Sequence, residues 1–274
     1  LFQEIWRGGF EWDQFLPSSF QERVQKWMEG LAAVKDFQIQ RRISGEQWDN
    51  NQEMKLIAFC DASEKAYGAC VYIAIRQSDG SFSCNLVYAK AKVAPLKAPS
   101  LPRLELLGAL LAARLVVFVK GALQLPGIAS ICYTDSMVAL SWIRGNPIRW
   151  KTFVSNRVVE IQRLTDPNAW CHVAGKENPA DLVSRGTQGE SLVSSQLWFH
   201  GPSWLGEETC CSEITCPEES IVDPSVLEEK VSHSNQFTVQ SVVQVLDVSR
   251  WSSFSKAVRV VGWVCRFINN VRKR

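Results

Sequence analysis

Two periodicities divide the chain. Phe20, Val24, Trp27, Leu31 and Val34, within LPSSFQERVQKWMEGLAAV, recur at the three- and four-residue spacing of one helix face. With a shorter amphipathic stretch ahead of it, this predicts two helices in the first 50 residues, the second capped by Ser18 or Ser19. From Met54 the pattern becomes strand-like. MKLIAFCDA, YGACVYIAIRQ and SCNLVYAKAKV read as three successive strands, the last two joined as a hairpin through Asp79 and Gly80. APLKAPSLPRLELLGALLAARLVVFVKGAL reads as one long helix, opened by Ser100 and Pro102 and closed near Gly121. IASICYT follows as a strand, SMVALSWIRG and TFVSNRVVEIQRLT as helices, and NAWCHVAG as a strand. NPADLVSRG is a short helix with Asn178 as cap and Pro179 in its first turn. Three antiparallel strands, helix, strand, two helices, strand, helix is the order of an α/β fold, a mixed sheet with helices packed on it.

Beyond residue 186 the periodicity fades. Residues 187 to 247 are acidic and Ser-rich and read as a linker, except LWFHGPSWL, whose aromatics are expected to dock onto the preceding domain. VSRWSSFSKAVRVVGWVCRFINNVRKR reads as a basic amphipathic helix suited to docking on a partner domain, with nucleic acid or a membrane surface as rival partners. The expected division is therefore 1–50 (helical connection), 54–186 (α/β domain), 187–247 (acidic linker) and 248–274 (basic helix).

Composition narrows the class. Of 274 residues, 46% are hydrophobic, including 11 Trp and 13 Phe, as a folded protein requires. No apolar run, LVVFV at 115–119 included, approaches the roughly 20 residues a bilayer span needs, so no membrane association is expected. The opening LFQEIWRGGFEWDQF carries acids and no basic stretch before an apolar core, so no signal peptide is expected. The missing initiator Met predicts a segment of something longer. Cys60, Cys70, Cys132 and Cys171 fall in apolar strands, where a thiol behaves as a small hydrophobe, and the irregular, odd set of nine predicts a reducing compartment. Cys210, Cys211 and Cys216 with His200 and His233 invite a zinc site, but no Cys-x-x-Cys spacing supports one.

The net charge of +2 conceals segmentation. Residues 1–53 hold 6 basic and 9 acidic side chains, 54–186 hold 16 and 9, 187–247 hold 1 and 10, and 248–274 hold 7 and none. The middle block is the one suited to a polyanion.

Four acids in that block stand at the ends of strands or the starts of helices. Asp61 ends the first strand, Glu105 opens the long helix, Asp135 ends the fourth strand, and Asp181 lies in the first turn of the last helix. Each has a structural reading: Asp61 begins a turn, Glu105 and Asp181 answer a helix dipole, and Asp135 caps a helix. Gly108, Ala109 and Ala112, one and two turns after Glu105, give its helix a smooth face for close approach to a sheet. With the first and fourth strands parallel neighbours, Asp61 and Asp135 emerge side by side. Carboxylates so gathered repel one another unless cations intervene, and hard divalent ions with oxygen ligands are the economical answer.

At this point the sequence resembles the ribonuclease H region of Pao/BEL-type retrotransposon polyproteins. FCDASEKAYGACVYI, YAKAKVAPLKAPSLPRLELLGALLAARL, YTDSMVALSWI, HVAGKENPADLVSRG and WFHGPSWL carry the resemblance, in order. The resemblance implies a ribonuclease H-like five-stranded mixed sheet flanked by helices, with helical N-terminal and C-terminal extensions. It implies hydrolysis of the RNA strand of RNA/DNA hybrids with two Mg²⁺, Mn²⁺ substituting. The family's four acidic ligands fall on Asp61, Glu105, Asp135 and Asp181. The resemblance implies that Asp61 would bridge both metals, Glu105 and Asp135 would complete the site at the leaving group, and Asp181 would help hold the metal that activates water. Many ribonucleases H carry a mobile His before the last acid. Here Lys176 aligns best and His172 lies in the strand, so the role passes to neither. Implied partners are the polymerase and integrase regions of the same polyprotein, and the implied location is the cytoplasm, in a virus-like particle, or the nucleus.

A hybrid duplex is held mainly through phosphates. Candidate contacts are Lys90, Lys92, Lys97 and Arg103 before and at the long helix, Arg144, Arg149, Lys151 and Arg157 after the fourth strand, and Lys176; Trp142 and Trp150 are interleaved with the second group. The main rival is a catalytically silent ribonuclease H-like nucleic-acid-binding module of a retroelement-derived protein. A proofreading-type exonuclease requires Asp-x-Glu where the chain has Asp61-Ala62-Ser63. An aspartic protease requires an Asp-Thr/Ser-Gly turn, and a polymerase requires Tyr-x-Asp-Asp; neither occurs.

Overall fold

The run MKLIAFCDA has no polar face because, as strand β1 (Met54–Ala62), it is covered on both sides. In the computed structural model, which describes residues 1–39, 43, 53–97, 99–207, 226–230 and 254–272, β1 is the centre of a five-stranded sheet ordered β3-β2-β1-β4-β5. Strands β2 (Ala66–Arg76) and β3 (Phe82–Val93) continue it antiparallel on one side; β4 (Ala129–Thr134) and β5 (Trp170–His172) continue it parallel on the other. The β2–β3 turn uses Gly80 at φ 87°, where a side chain would be strained, and Asp79 accepts from the Ser81 N–H at 2.9 Å. The expected mixed sheet flanked by helices is thus the observed one.

Alternation along β1 sorts its residues into two cores. Leu56, Ala58 and Cys60 pack under the helices α4 (Leu101–Ala122), α5 (Met137–Arg144) and α6 (Thr152–Leu164), with Trp142, Trp150 and Val154. Ile57 and Phe59 face the other way, against Tyr133, Leu205 and Trp204. The second cover is the LWFHGPSWL segment, which follows α7 (Asp181–Arg185) and α8 (Gly189–Val193). Its helix α9 (Gln196–His200) accepts from the Tyr72 hydroxyl at the Trp198 carbonyl, 2.8 Å away, and Trp204 meets Tyr133 edge-on at 5.3 Å. Cys60, Cys70, Cys132 and Cys171 are buried in the strands.

The N-terminal extension differs from expectation in detail. Among its described residues are three helices, α1 (Phe2–Arg7), α2 (Ser18–Gly30) and α3 (Ala32–Lys35), rather than two. Pro17 already has the extended backbone of the cap position, so Ser18 and Ser19 lie inside α2 and neither side chain caps it. Trp27, on the predicted apolar face, is 63% exposed.

Contacts cluster into two units, Leu1–Lys230 and Val231–Arg274; in the second, α10 (Phe254–Arg272) is the helix read from the basic C-terminal pattern. No described helix is long and apolar enough to cross a membrane. Of the zinc candidates, His200 Nδ1 lies 2.9 Å from the Cys84 carbonyl, whereas Cys210, Cys211, Cys216 and His233 lie outside the described residues, as does most of the expected acidic linker.

Candidate metal centre

Strand register brings the first two acids together. Cys60 pairs with Thr134 in the parallel β1–β4 ladder, so the next residue of each strand, Asp61 and Asp135, leaves the sheet at the same carboxyl end. Helix α4 supplies the third. A Cβ on Gly108 would stand 3.0 Å from the Asp61 carbonyl oxygen, tighter than ordinary contact, so glycine eases the close approach of the helix to β1. Glu105, one turn earlier on that face, thereby reaches the strand ends. Oxygen atoms of Asp61, Glu105 and Asp135 all lie within 4.8 Å of one another.

The helix cap behind this arrangement is not the one expected. Ser136, not Asp135, caps α5, accepting from the Ala139 N–H at 3.2 Å. Two adjacent residues suited the cap by type, and the geometry assigns it to the second, which leaves the Asp135 carboxylate to the site.

Burial and mutual repulsion make the cluster costly in its charged form. Asp61 is 2% exposed and Glu105 8%. Burial, then the charges of Asp61 and Asp135, push Glu105 up to about 9. Burial raises Asp61 to about 6 against a hydrogen bond donated by Ser184, with Asp135 and Asp181 adding to the rise. Asp135 is raised by burial too, opposed chiefly by hydrogen bonds from its own backbone N–H and from Asn178. Glu105 Oε2 and Asp135 Oδ1 are buried with no hydrogen-bond partner. Three crowded oxygen donors with two orphaned acceptors fit a hard divalent cation, which would satisfy those lone pairs and remove the repulsion.

Asp181 is placed differently. It stands outside the 4.8 Å cluster and is paired with Arg185 at the exposed end of α7, although its charge is felt by Asp61 and Asp135. Two residues that the sequence reading did not assign to the site support it. Ser184 donates to Asp61 Oδ2, and Asn178, read as a helix cap, instead ties its Nδ2 to the Cys60 carbonyl at 2.9 Å while its Oδ1 accepts from the Ala180 N–H. Ser184 sits three residues after Asp181, the helical spacing that could have flagged it.

The basic candidates fall into separate places. Lys90 and Lys92, on the edge strand β3, line a groove with Tyr88, Arg114 and Phe118, and Lys97 is exposed before α4. Lys176 lies in the turn Gly175–Glu177, where a Cβ on Gly175 would touch Asp135 Oδ2 at 3.4 Å; His172 pairs with Thr134 at the end of β5. Arg144 donates to the Trp170 carbonyl. Trp142 and Trp150 are buried in the core, so neither is available to stack on a base. Arg103 and Arg157 both lie over the Phe153 ring, at 4.8 and 3.5 Å, and Arg103 and Arg149 pair with Glu228 and Glu229.

No curated protein matches the chain. Solved structures with similarity include RNase H1 from the halophilic archaeon Halobacterium salinarum, 16% identical over 48% of this chain and 95% of its own, TM-score 0.31. The N-terminal RNase H domain of a Mycobacterium tuberculosis protein is 14% identical over 53% and 97%, TM-score 0.32. A compost-derived RNase H1, solved in complex with an RNA/DNA hybrid, is 13% identical over 51% and 99%, TM-score 0.29. The family model described as Pao retrotransposon-like RNaseH-like domain matches residues 1–136. That stretch is just under half the chain and contains all three clustered acids.

Proposed function

We propose that the protein is a retrotransposon ribonuclease H that hydrolyses the RNA strand of RNA/DNA hybrids with two Mg²⁺ ions. The observation that carries this reading is the meeting of Asp61, Glu105 and Asp135 within 4.8 Å, with two of their buried oxygens unpartnered. Asp61, Glu105 and Asp135 would hold the ions, with Asp181 at the open side. A pair of such ions supplies Lewis-acid charge at a phosphodiester and lowers the pKa of an attacking water. The protein's own part is positional. Ser184 fixes the Asp61 carboxylate, Asn178 fixes the strand end that presents it, and Gly108 sets the distance of Glu105. Little base preference is expected, because duplex recognition rests on phosphates and 2′-hydroxyls. The polymerase and integrase regions of one polyprotein remain the expected neighbours.

The test is cleavage of a labelled RNA/DNA hybrid by the full chain. The expected result is cutting of the RNA strand in Mg²⁺ or Mn²⁺ but not in EDTA, with single-stranded RNA and duplex DNA left intact. Tight hybrid binding with no cleavage in either metal would favour the catalytically silent binding module.

A further inference from the structure

Residues 226–230 run across the surface that gathers four of the chain's cations. Trp142 Nε1 donates to the Leu227 carbonyl at 2.6 Å, the Lys151 N–H to the Glu228 carbonyl at 2.9 Å, and the Lys230 N–H to the Arg149 carbonyl at 2.7 Å. This short strap delivers two acids. Both oxygens of Glu228 accept from Arg103, at 2.7 and 2.6 Å, and Glu229 accepts from Arg149 at 2.6 Å. We propose that Glu228 and Glu229 stand where phosphates of a nucleic-acid backbone bind, so that the strap is an internal competitor covering a phosphate-binding surface of Arg103, Arg149, Lys151 and Arg157.

The geometry of the pairs supports this. A guanidinium fork grips a carboxylate and a phosphate in the same two-point manner, so the surface that holds Glu228 is already shaped for a phosphodiester. Arg103 lies two residues before the candidate ligand Glu105 on α4 and so on a different face of the helix, which leaves its guanidinium outside the acid cluster. The surface also needs negative charge. Arg157 Nε is buried with no partner, and its guanidinium shares the Phe153 ring with that of Arg103. The strap itself is not relaxed: Glu228 has φ 51°, the left-handed region that non-glycine side chains disfavour. A strained segment held by three backbone hydrogen-bond acceptances and donations, and by exchangeable ion pairs, can be displaced by a stronger polyanion.

The proposal rests on the hybrid being the substrate, and its test separates the two ideas. The full chain and its Glu228→Gln/Glu229→Gln variant are titrated with a short labelled RNA/DNA hybrid in EDTA at low salt, followed by fluorescence anisotropy. Removing the internal competitor is expected to tighten binding by about tenfold, because two repelling charges leave the phosphate surface. In the wild type, whose folding no substitution can compromise, hybrid binding is expected to raise hydrogen exchange at the Lys151 and Lys230 amides as the strap lifts. A wild type that cleaves the hybrid, beside a variant that binds it no more tightly and amides that stay protected in the complex, would overturn the strap proposal alone. No hybrid binding by either protein would overturn it together with the substrate assignment.

Discussion

Asp135→Asn is expected to reduce hybrid cleavage by about a thousandfold or more while leaving the metal-free fold intact. The size follows from the several kcal/mol of charge stabilisation that a divalent ion contributes to phosphodiester hydrolysis, at 1.36 kcal/mol per tenfold. Asparagine keeps the shape of the side chain and removes the anionic oxygen that a hard cation requires. The fold is spared for a specific reason. Had Asp135 been the cap of α5, its loss would cost the helix about 1 kcal/mol; Ser136 carries that hydrogen bond instead. The two consequences can be read on one preparation, cleavage by gel and melting in EDTA. Wild-type cleavage by Asp135→Asn would refute the metal assignment.

Glu105→Gln is expected to raise metal-free stability at pH 8 by about 2 kcal/mol, a shift in Tm of roughly 4–8 °C for a chain of this size. The native carboxyl is held up to about 9 by burial and by its two acidic neighbours, against an ordinary value of 4.5. Between those values the native state binds more protons than the unfolded state. Stability therefore falls as pH rises from about 4.5 to about 9, with the full contribution present only below that window. Asp61, raised to about 6, adds to the fall in the lower part of the window. Glutamine cannot ionise, so the variant's stability should vary less with pH and exceed the wild type's at the alkaline end. Mg²⁺ should reverse the order, because it binds and stabilises only the wild-type site well. Melting curves across pH 5 to 9, with and without Mg²⁺, decide this; a wild type as stable at pH 9 as at pH 5 in EDTA would contradict it.

What could be read from sequence divides along the range of the interactions involved. The juncture of Asp61 and Asp135 was legible because two apolar runs ending in acid, in a strand order that makes them parallel neighbours, leave little freedom in register. The approach of Glu105 was legible from Gly108, whose missing side chain marks close packing. The cap of α5 was not, because Asp135 and Ser136 suit it equally by local chemistry and the choice is made by the sheet end. Nor was the withdrawal of Asp181 toward Arg185, since an i,i+4 pair and a metal ligand are both natural at a helix start. Least legible were the partners of Arg103: Glu228 lies 125 residues away, in a stretch whose composition reads as linker. A basic side chain alone does not announce whether its counter-ion is a phosphate or a distant carboxylate.

The most direct measurement is calorimetric titration of the metal-free chain with Mn²⁺ near pH 7.5, in two buffers of different ionisation enthalpy. Saturable binding at the carboxylate cluster should expel the proton that Glu105 holds, so the apparent enthalpy should differ between buffers by about one proton per chain, and Asp61→Asn should abolish both signals. Absence of saturable binding, or binding equal in the Asp61→Asn protein, would show that these three acids do not form a metal site.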